Sequence, residues 1–102
     1  MAIQKDVNDL ASKKFAKKLK ELRALKGISV AELAELSGVS RTYISDLENE
    51  RGYIISKEKM QNITKALGSI SEKDKKEFYL YYLEKVVPAE ILEFMIKKNE
   101  DE

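Results

Sequence analysis

The placing of its helix breakers constrains this chain more than any other feature. Four glycines and one proline interrupt 102 residues, and they fall where runs of helical apolar spacing stop. Phe15, Leu19 and Leu22 lie at i, i+4 and i+7, one stripe of a helix that Gly27 closes. Ser29-Val30-Ala31-Glu32 has the S-x-x-E form of a capping box, in which serine and glutamate satisfy free amide donors reciprocally. A second helix follows with Leu33, Ala34 and Leu36 and ends at Ser37-Gly38. Ser40 caps a third, from Arg41 to about Glu48, with Ile44 and Leu47 inward. After a loop from Asn49 to Ile55, a fourth runs from about Lys57 to Leu67, with Met60, Ile63 and Leu67 on one face and Gly68 at its end. Ser71 caps a fifth. Pro88 suits the first position of a last helix, Ala89 to Lys98. The expected class is all-α.

Composition narrows the chemistry. Cysteine and histidine are both absent, which removes disulfides, thiolate nucleophiles, the usual zinc sites and imidazole acid–base catalysis. No glycine-rich phosphate loop appears, and Asp46 and Glu48, two apart on a helix, point to different sides. Neither catalysis, a metal nor a cofactor is expected. The first ten residues are polar and no stretch approaches the roughly 20 apolar residues of a membrane span, so the expectation is a cytoplasmic protein without a membrane partner. The net charge of +1 conceals an asymmetry. Residues 1–70 hold 13 Lys/Arg against 9 Asp/Glu, and residues 71–102 hold 6 against 9. Lys13, Lys14, Lys17, Lys18, Lys20, Arg23 and Lys26 share one segment whose sole acid is Glu21. A basic front and an acidic end suggest an anionic partner for the front.

The stretch Val30 to Asn49 is the most informative. Two helices crossing over a tight turn need a small residue where they touch, which Ala34 supplies, and a turn residue that tolerates positive φ, which Gly38 supplies. Val39, Ile44 and Leu47 pin the third helix to the second, leaving Arg41, Thr42, Tyr43, Ser45 and Asp46 on its outer face. Taken together, Lys26-Gly27-Ile28-Ser29, Glu32-Leu33-Ala34, Ser37-Gly38-Val39-Ser40 and Tyr43-Ile44-Ser45-Asp46-Leu47-Glu48 resemble the DNA-binding domain of the Cro and phage-repressor helix-turn-helix family. The resemblance covers Lys13 to Gly68 and implies a compact five-helix bundle, here with an additional C-terminal helix.

On that resemblance the chain divides into a flexible N-terminal arm (1–12), a helix-turn-helix DNA-binding domain (13–70), a C-terminal helical dimerisation extension (71–98) and an acidic tail (99–102). The family pairs an arginine four residues before its first-helix glycine with the glutamate ending the recognition helix, which implies a structural ion pair of Arg23 with Glu48. Arg41, Thr42, Ser45 and Asp46 become candidate base readers: arginine for guanine, threonine for a thymine methyl, aspartate for a cytosine amino group. Lys17, Ser29, Ser40, Tyr43, Asn49 and Arg51 become candidate phosphate-backbone contacts, with Tyr43 packing on the first helix as the alternative. Lys13, Lys14, Lys17 and Lys18 are expected to add diffuse attraction.

The chain departs from the family at three places. Val30 stands where a phosphate-gripping glutamine is usual, the loop after Glu48 is one or two residues longer, and Asp46 puts an acid among the base readers.

Phe78-Tyr79-Leu80-Tyr81-Tyr82-Leu83 is apolar on every side. It has strand propensity too, but its charged flanks and the Tyr79, Leu83, Val86 spacing favour helix. More is apolar than one face can bury, so Phe78, Tyr79, Tyr81, Tyr82, Phe94 and Met95 are read as a homodimer seam. The functional expectation is a sequence-specific, homodimeric transcriptional regulator, most simply a repressor on double-stranded DNA, with an antirepressor or other partner protein as a further ligand. The alternative is an adaptor or antitoxin-like protein-interaction module on the same fold, using the aromatic C-terminal surface and binding DNA weakly.

Overall fold

A computed structural model describes residues 2–50, 55–88 and 90–95, with side chains from Leu10 onward. Five helices follow in order: α1 (Ala2–Lys26), α2 (Val30–Ser37), α3 (Arg41–Glu48), α4 (Lys57–Leu67) and α5 (Glu72–Val86). A short helical segment over residues 90–95 comes after Pro88. The described residues contain no strand.

Serine starts four of these helices. The hydroxyls of Ser29, Ser40, Ser56 and Ser71 accept the amides of Glu32, Tyr43, Lys59 and Asp74 respectively, satisfying donors that have no partner inside the helix. At Ser29 the capping box is complete, because Glu32 Oε1 accepts the Ser29 amide at 3.0 Å. Ser56 was not read as a cap from the sequence, although it stands in the same relation to its helix as the other three.

The core takes Phe15, Leu19 and Leu22 from α1, Leu33 and Ala34 from α2, Ile44 and Leu47 from α3, Met60, Ile63 and Leu67 from α4, and Phe78 from α5. Phe78 stacks on Phe15 with ring centroids 5.1 Å apart, in the range where aromatic pairs add to area burial. Phe78 is 0% exposed. It therefore lies in the monomer core and not on a seam.

Two other sequence expectations are corrected here. Residues 1–12 were read as a flexible arm, yet α1 starts at Ala2, and Ala11 and Ser12 are buried. The cause is packing: Lys85 Nζ on α5 donates to Ser12 Oγ at 2.9 Å, so α5 covers that turn of α1.

The second correction concerns the basic front. Lys18 is buried, its ammonium 2.8 Å from Asp74 Oδ1 and 3.0 Å from Glu77 Oε1 on α5, with Glu21 at 3.7 Å. Lys14 Nζ sits 3.7 Å from Glu84, and Lys26 Nζ donates to the carbonyl of Ser69. Lys14 and Lys18 thus meet the acidic end of their own chain, while Lys13, Lys17 and Lys20 remain exposed. Burial alone would pull the Lys18 ammonium down, but hydrogen bonds to Asp74 and Glu77 outweigh it and hold its pKa above the usual lysine value. The Lys18 hydrogen bond, with that of Ser71, holds the Asp74 carboxyl below its ordinary range.

Because Asp74 has the lower pKa in the folded chain, its contribution to stability is full above the unfolded value of about 3.9 and disappears as pH falls further. Thermal melts between pH 7 and pH 2 should show Asp74→Asn less stable than wild type at neutrality. The two should converge below about pH 3.9, and a constant difference across that range would contradict the assignment.

Candidate nucleic-acid interface

The geometry is set by the turn joining α2 to α3. Gly38 adopts φ 73°, a left-handed conformation that glycine enters without Cβ strain, and its amide donates to Ala34 O at 2.9 Å. Buried Ser37 braces the turn: its hydroxyl donates to Ala34 O and accepts the amide of Val39 at 3.2 Å. With Ile44 and Leu47 fully buried behind it, α3 keeps Arg41 and Thr42 exposed on its first turn.

Arg23 holds the other end of α3. Its Nε and Nη2 donate to the two oxygens of Glu48 at 2.8 and 3.0 Å, and its Nη1 donates to Ile28 O at 3.0 Å. A bidentate pair of this kind fixes direction as well as distance. The hydrogen bonds to Glu48 raise the Arg23 pKa, so the guanidinium is charged at every accessible pH.

Among the candidate base readers, Arg41, Thr42 and Ser45 border one depression with Ser29, Val30 and Ala31 at the start of α2. Asp46 borders it too but is only 7% exposed. This corrects its reading as an outward base reader: it stands one turn after Thr42 on the same side of α3, where the start of α2 at Ser29, Val30 and Ala31 closes over it. Ser45 is half-buried, and Asn49 Nδ2 donates to both its carbonyl and its hydroxyl, at 2.7 and 3.2 Å.

Among the candidate backbone contacts, Ser29 and Ser40 are exposed at the starts of α2 and α3. Each hydroxyl accepts a capping amide and keeps a proton to donate. Asn49 has its amide nitrogen turned back to Ser45, which withdraws it as a phosphate donor. Lys17 lies in a groove between α1 and α5, beside Asp74, Glu77 and Tyr81, away from the depression at α3. Tyr43 is half-buried against the core, and its ring carries the ammonium of Lys59 of α4 at 4.3 Å. Lys59 was not singled out in the sequence; no spacing rule links it to Tyr43, since the contact crosses from one helix to another. Arg51 lies outside the described residues.

The residues read as a seam divide three ways. Phe78 is core; Tyr81 and Tyr82 are half-buried against it; Tyr79, Phe94 and Met95 are exposed, Phe94 at 69%. Leu80 and Ile91 are exposed as well. Among the described residues there is no cluster of acidic side chains able to hold a metal, and no helix is long and apolar enough to cross a membrane.

The helix-turn-helix family model matches residues 19–74, more than half of the chain. Neither the curated proteins nor the solved structures yield a match.

Two outcomes follow from this geometry. Arg23→Ala leaves the Glu48 carboxylate buried without its partner and should cost about 3 kcal/mol, read as a lower denaturant midpoint at unchanged slope. Glu50, just past α3, has φ 62°, a region that costs a side chain about 1–2 kcal/mol. Glu50→Gly should therefore raise stability by about 0.5–1 kcal/mol after the extra freedom of glycine in the unfolded chain is subtracted. A destabilised variant in the same denaturant titration would show that Glu50 is held by something stronger than this strain.

Proposed function

The chain belongs to the Cro and phage-repressor type of helix-turn-helix family, a family of DNA-binding regulators, and we propose that it is a sequence-specific transcriptional repressor acting on a two-fold operator as a homodimer. The observation that carries this reading is the first turn of α3, exposed at Arg41 and Thr42 while both ends of the helix are fixed.

In this reading α3 enters the major groove by its N-terminal end. Arg41 presents two parallel donors to guanine O6 and N7, and Thr42 meets a neighbouring base edge or thymine methyl. The hydroxyls of Ser29 and Ser40, and the free amides at those helix starts, take phosphate oxygens and fix the register. Ser45 lies deeper along the same helix and reads only a base that approaches closely. Val30 contributes surface and no donor. Two copies meet through Tyr79, Leu80, Ile91, Phe94 and Met95, placing two α3 helices to read half-sites about one DNA turn apart. Occupancy of such a site excludes polymerase, which is repression in its simplest form.

A second reading is favoured by one observation: Glu35 of α2 borders the same depression as Arg41, while Tyr79, Phe94 and Met95 are exposed. On that reading the chain is a protein-interaction module, antitoxin-like or bound by an antirepressor, and DNA affinity is weak.

Selection from a random duplex pool at two salt concentrations, with the mass in solution measured alongside, separates the two. A recovered palindrome bound by a dimer is the expected result. Salt-sensitive binding with no recovered motif would replace it with the second reading. On the recovered site, Arg41→Ala should relax preference at a single base position and cost about 1–3 kcal/mol there.

A further inference from the structure

Among the described residues that line the depressions between α2 and α3, Arg41 is the one cation, and of the α1 lysines Lys17 lies away from them in the α1–α5 groove. On α1, Lys14 and Lys18 are paired with acids of α5, Arg23 with Glu48, and Lys26 with the Ser69 carbonyl. Exposed Glu32 and Glu35 add negative charge to α2. A surface that approaches phosphates needs cations on both sides of the inserted helix, because the major groove, about 12 Å wide, is bordered by two backbones.

Arg41 serves one side. It borders the depressions that α3 makes with α2. Residues two apart on a helix are separated by about 200° around its axis, so Tyr43 faces the opposite flank, toward α4. There the Lys59 ammonium lies 4.3 Å from the centre of the Tyr43 ring, within cation–π range. Lys59 is exposed, and its backbone amide is held by the Ser56 cap, which orders the first turn of α4, while the Tyr43 contact sets that turn near the first turn of α3. The ring face restricts a flexible ammonium to one place while leaving its remaining donors to solvent. Glu58 is about 100° away around α4 and does not share that position.

We infer that Lys59, seated on the Tyr43 ring, is a phosphate-backbone contact of this protein, on the flank of α3 opposite Arg41, with Tyr43 as its positioning residue. This rests on the DNA-binding reading above and adds to it a residue, a side of the groove and a role. A lysine in that role contributes affinity without reading sequence.

The test is the salt dependence of binding by the full chain to the duplex recovered in the selection, between about 50 and 200 mM salt. Loss of one phosphate contact should reduce the slope of log K against log salt by about 0.9, so that Lys59→Gln loses about threefold less affinity than wild type across that range. The order of preference among mismatched duplexes should stay the same. Tyr43→Phe keeps the ring and should keep the wild-type slope, whereas Tyr43→Leu removes it and should move toward the Lys59→Gln value. Lys73→Gln, the same charge change on the α1–α5 groove, should leave the slope alone. A wild-type slope in Lys59→Gln, or an equal reduction in Lys73→Gln, overturns the inference while the DNA-binding reading stands. Failure of wild type to bind any duplex removes both.

Discussion

Everything that α3 can do depends on the Arg23–Glu48 pair. The helix is eight residues long, too short to be stable by its own hydrogen bonds. Its N-terminal end is held by Ser40 and by the turn at Gly38. Its C-terminal end is held by a guanidinium that also binds the carbonyl of Ile28, the residue leading into α2. One side chain therefore joins the last turn of α1, the approach to α2 and the end of α3. A lysine could carry the charge but not the three directed donors.

The second organising feature is that the charge segregation along the chain is partly an internal matter. An excess of lysine at the front and of acid at the end looks, as a linear sequence, like an invitation to an anionic ligand. In three dimensions α1 and α5 lie against one another, and Lys18 sits between Asp74 and Glu77. Beside α3, the cations that face an outside anion are Arg41 and, at the start of α4, Lys59. Family membership directs attention to α3, and the ammonium that stands on its far flank is that of Lys59 on α4.

The helices were legible because their signals are local. Serine caps, glycine stops and the i, i+4, i+7 stripe of Phe15, Leu19 and Leu22 act within a few residues, and the bounds of α2 to α4 agree with them. The start of α1 was not legible, because what buries Ala11 and Ser12 is α5, distant in sequence. The same reason accounts for the site. Arg23 and Glu48 were legible only through the family pattern, and their meeting is a tertiary fact. Asp46 was misplaced because polarity and its position one turn after Thr42 both predict an outward side chain, whereas the start of α2, across the turn, covers it. Phe78 was assigned to the seam because a run of six apolar residues does not say which of them turns inward. Its stacking on Phe15 decides that.

The two ion-pair sites also share a support. Lys18 and Arg23 stand five positions apart on α1, about 7.5 Å along the axis of one unbroken helix. One grips α5 and the other grips the end of α3. Mechanically, α1 is then a stiff strut with a clamp at each point. Neither clamp sits on a loop: Lys18 holds Asp74 within α5 and Arg23 holds Glu48 within α3. The outward turn of α3 is accordingly set against the same unbroken helix that seats α5.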